Sequence, residues 1–181
     1  MNAFELKFLD FIAQHLRCAF LDFLMPKITL LGNAGIFWII LAVALLIPKK
    51  TRKAGFAMAI ALILGLIFCN MTLKPLVARI RPYDVAGIAP YLIEVQHDFS
   101  FPSGHTTASF EGAAVVFLYY KKWGIAALVL AALIAFSRMY LYVHYPTDIL
   151  GGIVLGVLFA WVGKKVSDAV FNAIAIHKEK E

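Results

Sequence analysis

Three short polar clusters interrupt a chain that is otherwise strongly apolar. They lie at residues 74–82, 102–105 and 137–148, and a lysine, several arginines and two histidines are among their residues. Polar and charged groups beside hydrocarbon are costly, so their presence there indicates a functional site. Fixed cations suit a phosphate dianion, and a pair of histidines suits nucleophilic attack and proton transfer.

The cations of the clusters are Lys74, Arg81 and Arg138. Arginine presents a planar fork that matches phosphate oxygens, and lysine adds a mobile point charge. Together they could neutralise a phosphate and the charge that develops during its transfer. Ser103 directly precedes an apolar run and is predicted as a helix N-cap, so that its hydroxyl and the Gly104 N–H can face the same anion.

The two histidines are predicted to divide the proton chemistry. His144 and Asp148 lie four residues apart, and Pro146 occupies a predicted first helical position between them. One helical turn can bring the carboxylate to the imidazole, where it fixes the tautomer and leaves the far nitrogen free to attack phosphorus. His105 then remains as the acid for the leaving oxygen and the base for water.

A metal site is the alternative use of the same residues. His105, His144 and Asp148 are all zinc ligands by type. The nearby cations oppose a divalent ion, so we expect neither a metal nor a cofactor.

Four further polar residues have simpler interpretations. Arg79 and Lys27 are predicted to be interfacial anchors, and His97 a solvated loop residue. Glu111 falls about two turns into an apolar helix, where a carboxylate needs a partner or a proton. We favour a structural hydrogen bond for it, with a role along the substrate path as the alternative.

Composition places the chain in a membrane. Its 181 residues are 62% hydrophobic and only 15% charged, and the mean hydropathy is +0.81, which is typical of one polytopic membrane domain. The net charge of +6 does not indicate nucleic acid as a partner, because the bases cluster between or after apolar spans. Cys18 and Cys69 are far apart in apolar surroundings and are predicted to be free thiols.

The N-terminal region differs from the rest. Residues 2–25 place aromatic side chains at helical spacing among charged ones, which predicts an amphipathic helix in the membrane interface, assigned to residues 1–26. Acidic Glu5 stands where a signal peptide would have basic residues, so we expect no cleavable signal.

The remaining chain is predicted to form a transmembrane domain over residues 27–170, followed by a cytoplasmic tail over residues 171–181. Five spans are expected, at residues 28–47, 54–73, 103–120, 124–142 and 146–162. Alternation of the spans puts all three polar clusters on one side of the membrane and the basic loops on the other. The protein is therefore expected in the cell membrane. The positive-inside rule predicts that the site faces outward and that the C-terminus lies in the cytoplasm.

The ordered clusters resemble the three signature motifs of the type-2 phosphatidic acid phosphatases. The motifs are Lys74-x6-Arg81-Pro82, Pro102-Ser103-Gly104-His105 and Ser137-Arg138-x5-His144-x3-Asp148. The resemblance covers about residues 54–170. It implies an all-α polytopic helical bundle of five to six transmembrane helices, counted here as five spans plus the N-terminal amphipathic helix.

The resemblance also implies an activity and a set of roles. Family members dephosphorylate lipid phosphates or pyrophosphates through a phosphohistidine and without a metal. By this resemblance His144 is the nucleophile, His105 the acid and base, and Asp148 the orienting partner. The implied phosphate pocket consists of Lys74, Arg81, Ser103, Gly104 and Arg138.

Several substrates and one non-enzymatic function remain open. The small size resembles bacterial members that act on undecaprenyl pyrophosphate, which we expect first, or on phosphatidylglycerol phosphate, with phosphatidate and lipid A phosphate as further alternatives. A transporter or lipid-binding protein could use the cations as an anion site, but binding alone needs no pair of histidines. The related vanadate-binding haloperoxidases share such a pocket, but membrane spans disfavour that activity.

Overall fold

The computed structural model describes residues 2–178, and side chains over residues 3–177. This part of the chain is helical and contains no β-strand, which confirms the all-α prediction. The helices are α1 (Asn2–His15), α2 (Ala19–Leu30), α3 (Ile36–Leu46), α4 (Arg52–Gly65), α5 (Lys74–Val77), α6 (Pro82–Ala86), α7 (Gly104–Tyr119), α8 (Lys121–Tyr140) and α9 (Pro146–Lys178). A π-helical segment, Leu66–Leu73, joins α4 to α5.

Helix α7 lies at the centre of the bundle and packs against α4, α8 and α9. Small residues allow α9 to approach it closely. A Cβ at Gly152 would come within 2.9 Å of Thr106 Cβ, and one at Gly156 within 2.7 Å of the Thr107 carbonyl oxygen. These glycines therefore serve helix packing, as their small-residue face indicates.

Three long helical stretches of the described chain are apolar enough to cross a membrane. They are Arg52–Ala86, Lys121–Tyr140 and Pro146–His177, and the bent pair of α2 and α3 forms a fourth candidate. Helix α7 has 16 residues and rises only about 24 Å, less than the roughly 30 Å of a bilayer core. The fold is thus a polytopic membrane bundle with a short central helix.

The N-terminal region forms two helices rather than one continuous amphipathic helix. The chain leaves the helix between α1 and α2, and extended Cys18 begins α2. Leu9 and Ile12 are fully buried against the segment that links α8 to α9, whereas Phe4 and Phe11 are exposed. The acidic groups of α1 face the protein, because tyrosine and arginine side chains from distant segments bind them.

The predicted span over residues 28–47 is also interrupted. Residues 31–35 form a turn in which Ala34 and Gly35 have φ values of 49° and 66°, and the axes of the flanking segments differ by 44°. Positive φ is the left-handed region, which glycine adopts at little cost and which ends regular helix. The bend brings the exposed side chain of Asn33 within hydrogen-bonding distance of His105.

Helix α9 is longer than the span predicted over residues 146–162. It continues without a break to Lys178, so the segment predicted as a tail is helical over its described part. The Ser167 hydroxyl donates to the Lys53 carbonyl, and the Tyr120 hydroxyl donates to the Lys50 carbonyl, so the basic loops meet at one end of the bundle.

Candidate active site

The start of α9 brings a histidine and an aspartate together at the end of the bundle opposite the basic loops. Pro146 is the first residue of α9, as its fixed φ favours. His144 lies in the preceding link, and its Nδ1 is 3.5 Å from Asp148 Oδ2. Both side chains are buried. The Tyr145 N–H donates to the same carboxylate oxygen over 2.8 Å, and the Ser100 hydroxyl over 2.5 Å.

The other ring nitrogen of His144 faces the cations. Arg81 Nη1 lies 3.3 Å from His144 Nε2 and also donates to the Val143 carbonyl over 2.8 Å. A guanidinium only donates, so Nε2 accepts and the proton of the neutral ring sits on Nδ1. Burial, followed by the positive charges of Arg81, Arg138 and Lys74, lowers the pKa of His144 well below its ordinary value. The ring is therefore neutral at neutral pH, with a lone pair on Nε2.

Arg138 is buried with part of its hydrogen-bonding capacity unused. It lies near the end of α8, is 2% exposed, and donates from Nη1 to the Thr29 hydroxyl over 2.6 Å. Neither its Nε nor its Nη2 has a hydrogen-bond partner among the described residues. Two such N–H groups on one guanidinium form a fork suited to a phosphate or carboxylate.

Lys74 and Arg81 share one carboxylate from the loop between α6 and α7. Both cations form ion pairs with Asp98, and Arg81 Nε also donates to its carbonyl over 2.8 Å. Burial by itself raises the pKa of Asp98, but the hydrogen bond and charge of Lys74 and the charge of Arg81 outweigh it and hold this pKa well below its ordinary value. The carboxylate thus places a negative charge between two cations predicted to bind phosphate.

The start of α7 contributes the second histidine. Ser103 is the N-cap, as predicted, and its hydroxyl accepts from the Thr106 N–H over 3.4 Å. The next residue, Gly104, lies against the lysine: a Cβ there would be 3.8 Å from Lys74 Nζ. His105 Nε2 lies 2.8 Å from the amide oxygen of Asn33, which fixes the ring from the turn after α2.

Close approach of the turn to His105 depends on a residue without a side chain. A Cβ at Gly32 would lie 2.7 Å from His105 Cδ2, closer than real Cβ contacts. The bend before α3 therefore both shapes the cavity and positions a histidine. Among the described residues, no group of three or more His, Cys, Asp and Glu side chains is arranged to hold a metal ion.

Comparison with known proteins assigns the chain to a family. Residues 50–171 match the family model described as the PAP2 superfamily, which is more than half of the chain. The chain belongs to the PAP2 superfamily. This confirms the resemblance carried by the three motifs.

Curated PAP2 relatives differ in their names. An undecaprenyl-diphosphatase of Sulfolobus acidocaldarius is 34% identical over 69% of this chain and 59% of its own length. A phosphatidylglycerophosphatase B of Bacillus subtilis is 33% identical over 82% of this chain and 70% of its own. A lipid A 4'-phosphatase of Bacteroides thetaiotaomicron is 32% identical over 61% and 54% respectively.

Solved structures support the same fold. The transmembrane PAP2-type phosphatidylglycerolphosphate phosphatase of Bacillus subtilis aligns with a TM-score of 0.76 at 27% identity, over 93% of this chain and 87% of that one. Aquifex aeolicus LpxE aligns with a TM-score of 0.69 at 25% identity, over 88% and 94%. The helical membrane architecture is therefore shared with PAP2 phosphatases.

The interpretation of Arg79 as an interfacial anchor is wrong for this PAP2 chain. Its side chain is largely buried and donates to Asp148 Oδ1 over 2.6 Å and to the Thr147 hydroxyl over 2.7 Å. Its other terminal nitrogen forms a 2.6 Å ion pair with Glu5 of α1. Arg79 therefore links the N-terminal helix to the aspartate beside His144.

Glu5 completes this link. Its Oε1 accepts from the Thr147 N–H over 3.1 Å and from the Thr147 hydroxyl over 2.6 Å. A carboxylate at the first turn of α9 satisfies a free N–H and interacts favourably with the helix dipole. A helix predicted to lie in the interface thus supplies a cap to the helix that carries Asp148.

Glu111 does not make the structural hydrogen bond favoured from sequence. It is 1% exposed, and its Oε1 has no partner among the described side chains or backbone groups. It lines a cavity of about 570 Å³ that also reaches Lys74 and His105. The site and the apolar interior are therefore connected.

Proposed function

We propose that the protein is an integral membrane lipid phosphatase that transfers the phosphoryl group to His144 and then to water. The observation that carries the proposal is the free fork of Arg138, buried in a pocket that also holds the neutral His144 and the cations Arg81 and Lys74. Buried donors without partners favour an anionic ligand that supplies the missing acceptors. Membership of the PAP2 superfamily agrees with this activity.

In the first step the lone pair on His144 Nε2 attacks phosphorus. A P–N bond forms while the bond from phosphorus to the lipid's leaving oxygen breaks, and His105, which starts as the imidazolium in the substrate complex, gives that oxygen a proton. Asp148 fixes the reactive tautomer from the Nδ1 side and stabilises the positive charge that develops on the ring. Arg81, Arg138 and Lys74 stabilise the equatorial oxygens.

In the second step water replaces the histidine. His105, now neutral, takes a proton from the water molecule, whose oxygen forms a new bond to phosphorus as the P–N bond breaks. Inorganic phosphate leaves, and both histidines return to their starting states. Asp98 pairs with Lys74 and Arg81, so the substrate phosphate competes with this carboxylate for their N–H donors.

Undecaprenyl pyrophosphate is the first proposed substrate. The similarity to the Sulfolobus undecaprenyl-diphosphatase supports it. The predicted outward-facing site agrees with it, since this carrier is released as a pyrophosphate on the outer face. Phosphatidylglycerol phosphate, phosphatidate and lipid A phosphate are the alternatives, and relatives named for the first and third of these support them. A non-enzymatic anion-binding protein is disfavoured by the oriented pair of histidines.

The same proposal includes five membrane crossings. The bent α2–α3 pair, the long stretch from α4, the central α7, and then α8 and α9 would each cross once. The site would lie on the extracytoplasmic side and the C-terminus in the cytoplasm. Helix α1 would lie in the interface, with Phe4 and Phe11 facing lipid head groups.

Phosphate release by the purified protein from each of these lipids tests the function. Activity is expected to survive EDTA, and vanadate is expected to inhibit, because it mimics the transferring phosphoryl group in the cationic pocket. A protein with Arg138→Gln should lose most of the vanadate inhibition, whereas Lys121→Gln, at the opposite end, should keep it. Loss of activity with chelator and recovery with added zinc or magnesium would contradict the metal-free mechanism.

A further inference from the structure

A cavity leads from the phosphate site into the apolar part of the bundle. Its volume is about 570 Å³, and at one end it is lined by Lys74, Asp98 and His105. Apolar side chains from α3 and α4 line its other end: Ile39, Val43, Leu46, Ala59, Leu62 and Ile63. Ile39 and Ile63 are about half exposed, so the cavity opens sideways between these two helices.

One acidic side chain lies within this mostly apolar wall, whose other polar members are Cys69, Asn70 and Thr107. Glu111 is 99% buried, its Oε1 has no hydrogen-bond partner among the described residues, and no described ion pair includes it. The facing helix makes room for it, because a Cβ at Gly65 would come within 2.0 Å of Glu111 Oε1. The carboxyl group therefore occupies a space that only glycine leaves open.

The surroundings require Glu111 to be protonated. A carboxylate without a cation in an apolar wall is strongly disfavoured and takes up a proton. The protonated group carries an O–H donor. A buried donor with no acceptor is costly, so a ligand that brings an acceptor to this point is favoured.

Glu111 lies at the depth where a phospholipid carries such an acceptor. His105, Ala108 and Glu111 follow one another at three-residue spacing and all line the cavity, and His105 and Glu111 are about 9 Å apart along the helix axis. In an acyl lipid phosphate the ester carbonyls lie one glycerol unit from phosphorus. In a polyprenyl pyrophosphate the oxygens of the second phosphate lie nearer to the attacked phosphorus, and at the depth of the ester carbonyls only hydrocarbon is present.

We propose that Glu111 donates a hydrogen bond to an ester carbonyl of an acyl lipid phosphate, and so adds this class to the substrates of the site. The proposal rests on the lipid phosphatase function. It makes Glu111 a specificity residue, since it contacts the substrate but takes no part in the chemistry. Polyprenyl pyrophosphate binds without this contact.

Two lipids that differ only at the carbonyl test the proposal. Phosphate release is measured from dioleoyl phosphatidate and from its di-O-oleyl ether analogue, which lacks the carbonyl oxygens. Wild-type kcat/KM is expected to be about three- to tenfold higher for the ester, the effect of one neutral hydrogen bond. Glu111→Gln, whose amide still donates, should keep the preference, and Glu111→Leu should abolish it. Val154→Leu, an exposed position of α9 that does not line the cavity, should behave as wild type.

The outcomes separate this proposal from the phosphatase function. Equal rates on ester and ether by the wild type, which needs no variant to fold, would overturn the role of Glu111 and leave the phosphatase standing. Activity on undecaprenyl pyrophosphate with none on either phosphatidate would do the same. Release of phosphate from no lipid at all would overturn both. A preference that disappears in Glu111→Leu, with its rate on undecaprenyl pyrophosphate unchanged, supports the contact.

Discussion

Four groups contact the carboxylate of Asp148. Its Oδ2 accepts from Ser100 and from the Tyr145 N–H and lies beside His144, while its Oδ1 pairs with Arg79. A buried carboxylate satisfied on both oxygens has one favoured orientation. It is therefore placed to hold the His144 ring with Nε2 toward the cations. Several of the groups that fix Asp148 are not part of the proposed phosphate pocket.

Removal of the nucleophile His144 is predicted to reduce phosphate release more than removal of the charge of its partner Asp148. His144→Ala should reduce phosphate release to background, because no other side chain is placed to provide the attacking nitrogen. Asp148→Asn should lose up to about 10⁴-fold in kcat, as in hydrolase triads, and keep a measurable rate. Circular dichroism would verify that both variants fold, and a well-folded His144→Ala protein with substantial turnover would refute the assignment.

The lowered pKa of His144 also predicts a pH dependence of stability. In the unfolded chain its pKa is ordinary, about 6.5, so below that pH the unfolded state binds a proton that the folded state does not. Stability is therefore lost as the pH falls through 6.5. Between pH 7.5 and 5.5 in detergent, Tm should fall less for His144→Gln than for the wild type. His97→Gln, in the exposed loop, should show the wild-type fall, and equal falls in all three proteins would contradict the pKa assignment.

Residue type and short spacing predicted which side chains would lie together, and the structure places His144 beside both Asp148 and Arg81. Their catalytic roles stay a prediction. Residue type and spacing did not predict the residues that support them. Arg79 meets Asp148 across 69 residues and Glu5 across 74, and no local pattern signals such pairings. The one available signal for Arg79 was its position two residues before Arg81, inside a motif.

At the scale of elements, α1 acts on the site through charge. Glu5 caps α9 and holds Arg79, and Tyr142 from the link before α9 donates to Asp10 over 2.7 Å. The acidic groups of α1 therefore pair with other segments of the protein, whereas several of its aromatic residues are exposed. The sequence pattern was amphipathic, as predicted, but which side faced water could not be read from it.

Glu5→Gln is predicted to impair catalysis more than binding. The amide keeps its size but loses the charge that pairs with Arg79, so Arg79 and Asp148 lose a fixed arrangement. We expect kcat to fall about tenfold with KM little changed, because no phosphate ligand is touched. Substrate titrations at fixed pH give both constants.

Asp168→Asn provides the matched control, since it removes an ion pair with Lys164 at the opposite end of the bundle. Glu5→Asp should recover part of the lost rate, as the charge returns on a shorter side chain. An equal fall in kcat for Glu5→Gln and Asp168→Asn would mean that α1 contributes stability alone.

Element boundaries followed sequence where caps or prolines marked them, as at Ser103 and Pro146. The prediction of one continuous helix over residues 28–47 was wrong, because this segment is almost continuously hydrophobic but the turn at residues 31–35 interrupts the helix. Gly32 and Asn33 lie within that apolar run. Their structural role could not be predicted, because both contact His105, which lies far along the chain. Contacts of this kind become apparent only in three dimensions.

At the scale of the whole molecule, the bundle has two chemically different ends. The pocket occupies one, and the basic loops meet at the other, where Lys53 and Ser167 are joined. The rise of α9 from Pro146 to Ser167 is about 32 Å, close to the thickness of a bilayer core. A membrane placed across the bundle would therefore separate the site from the basic end.

The distribution of charge predicts which end faces the cytoplasm. Ten of the 17 lysines and arginines belong to the basic loops and the C-terminal segment, at positions 49, 50, 52, 53, 121, 122, 164, 165, 178 and 180. The others lie in the motifs or in the N-terminal helices with their junction. Because positive residues remain on the cytoplasmic side, the loop of residues 83–101 should face outward.

Thiol labelling in intact cells measures this orientation. Cys18 is exposed and Cys69 buried, so both are first replaced by serine or alanine. Single cysteines at Ala89 and Lys121, both exposed and at opposite ends, are then treated with a membrane-impermeant maleimide. Labelling is expected at position 89 and not at position 121, while both should react after the membrane is permeabilised. The reverse pattern would put the phosphatase site in the cytoplasm. The main argument for a carrier lipid that is released on the outer face would then no longer hold.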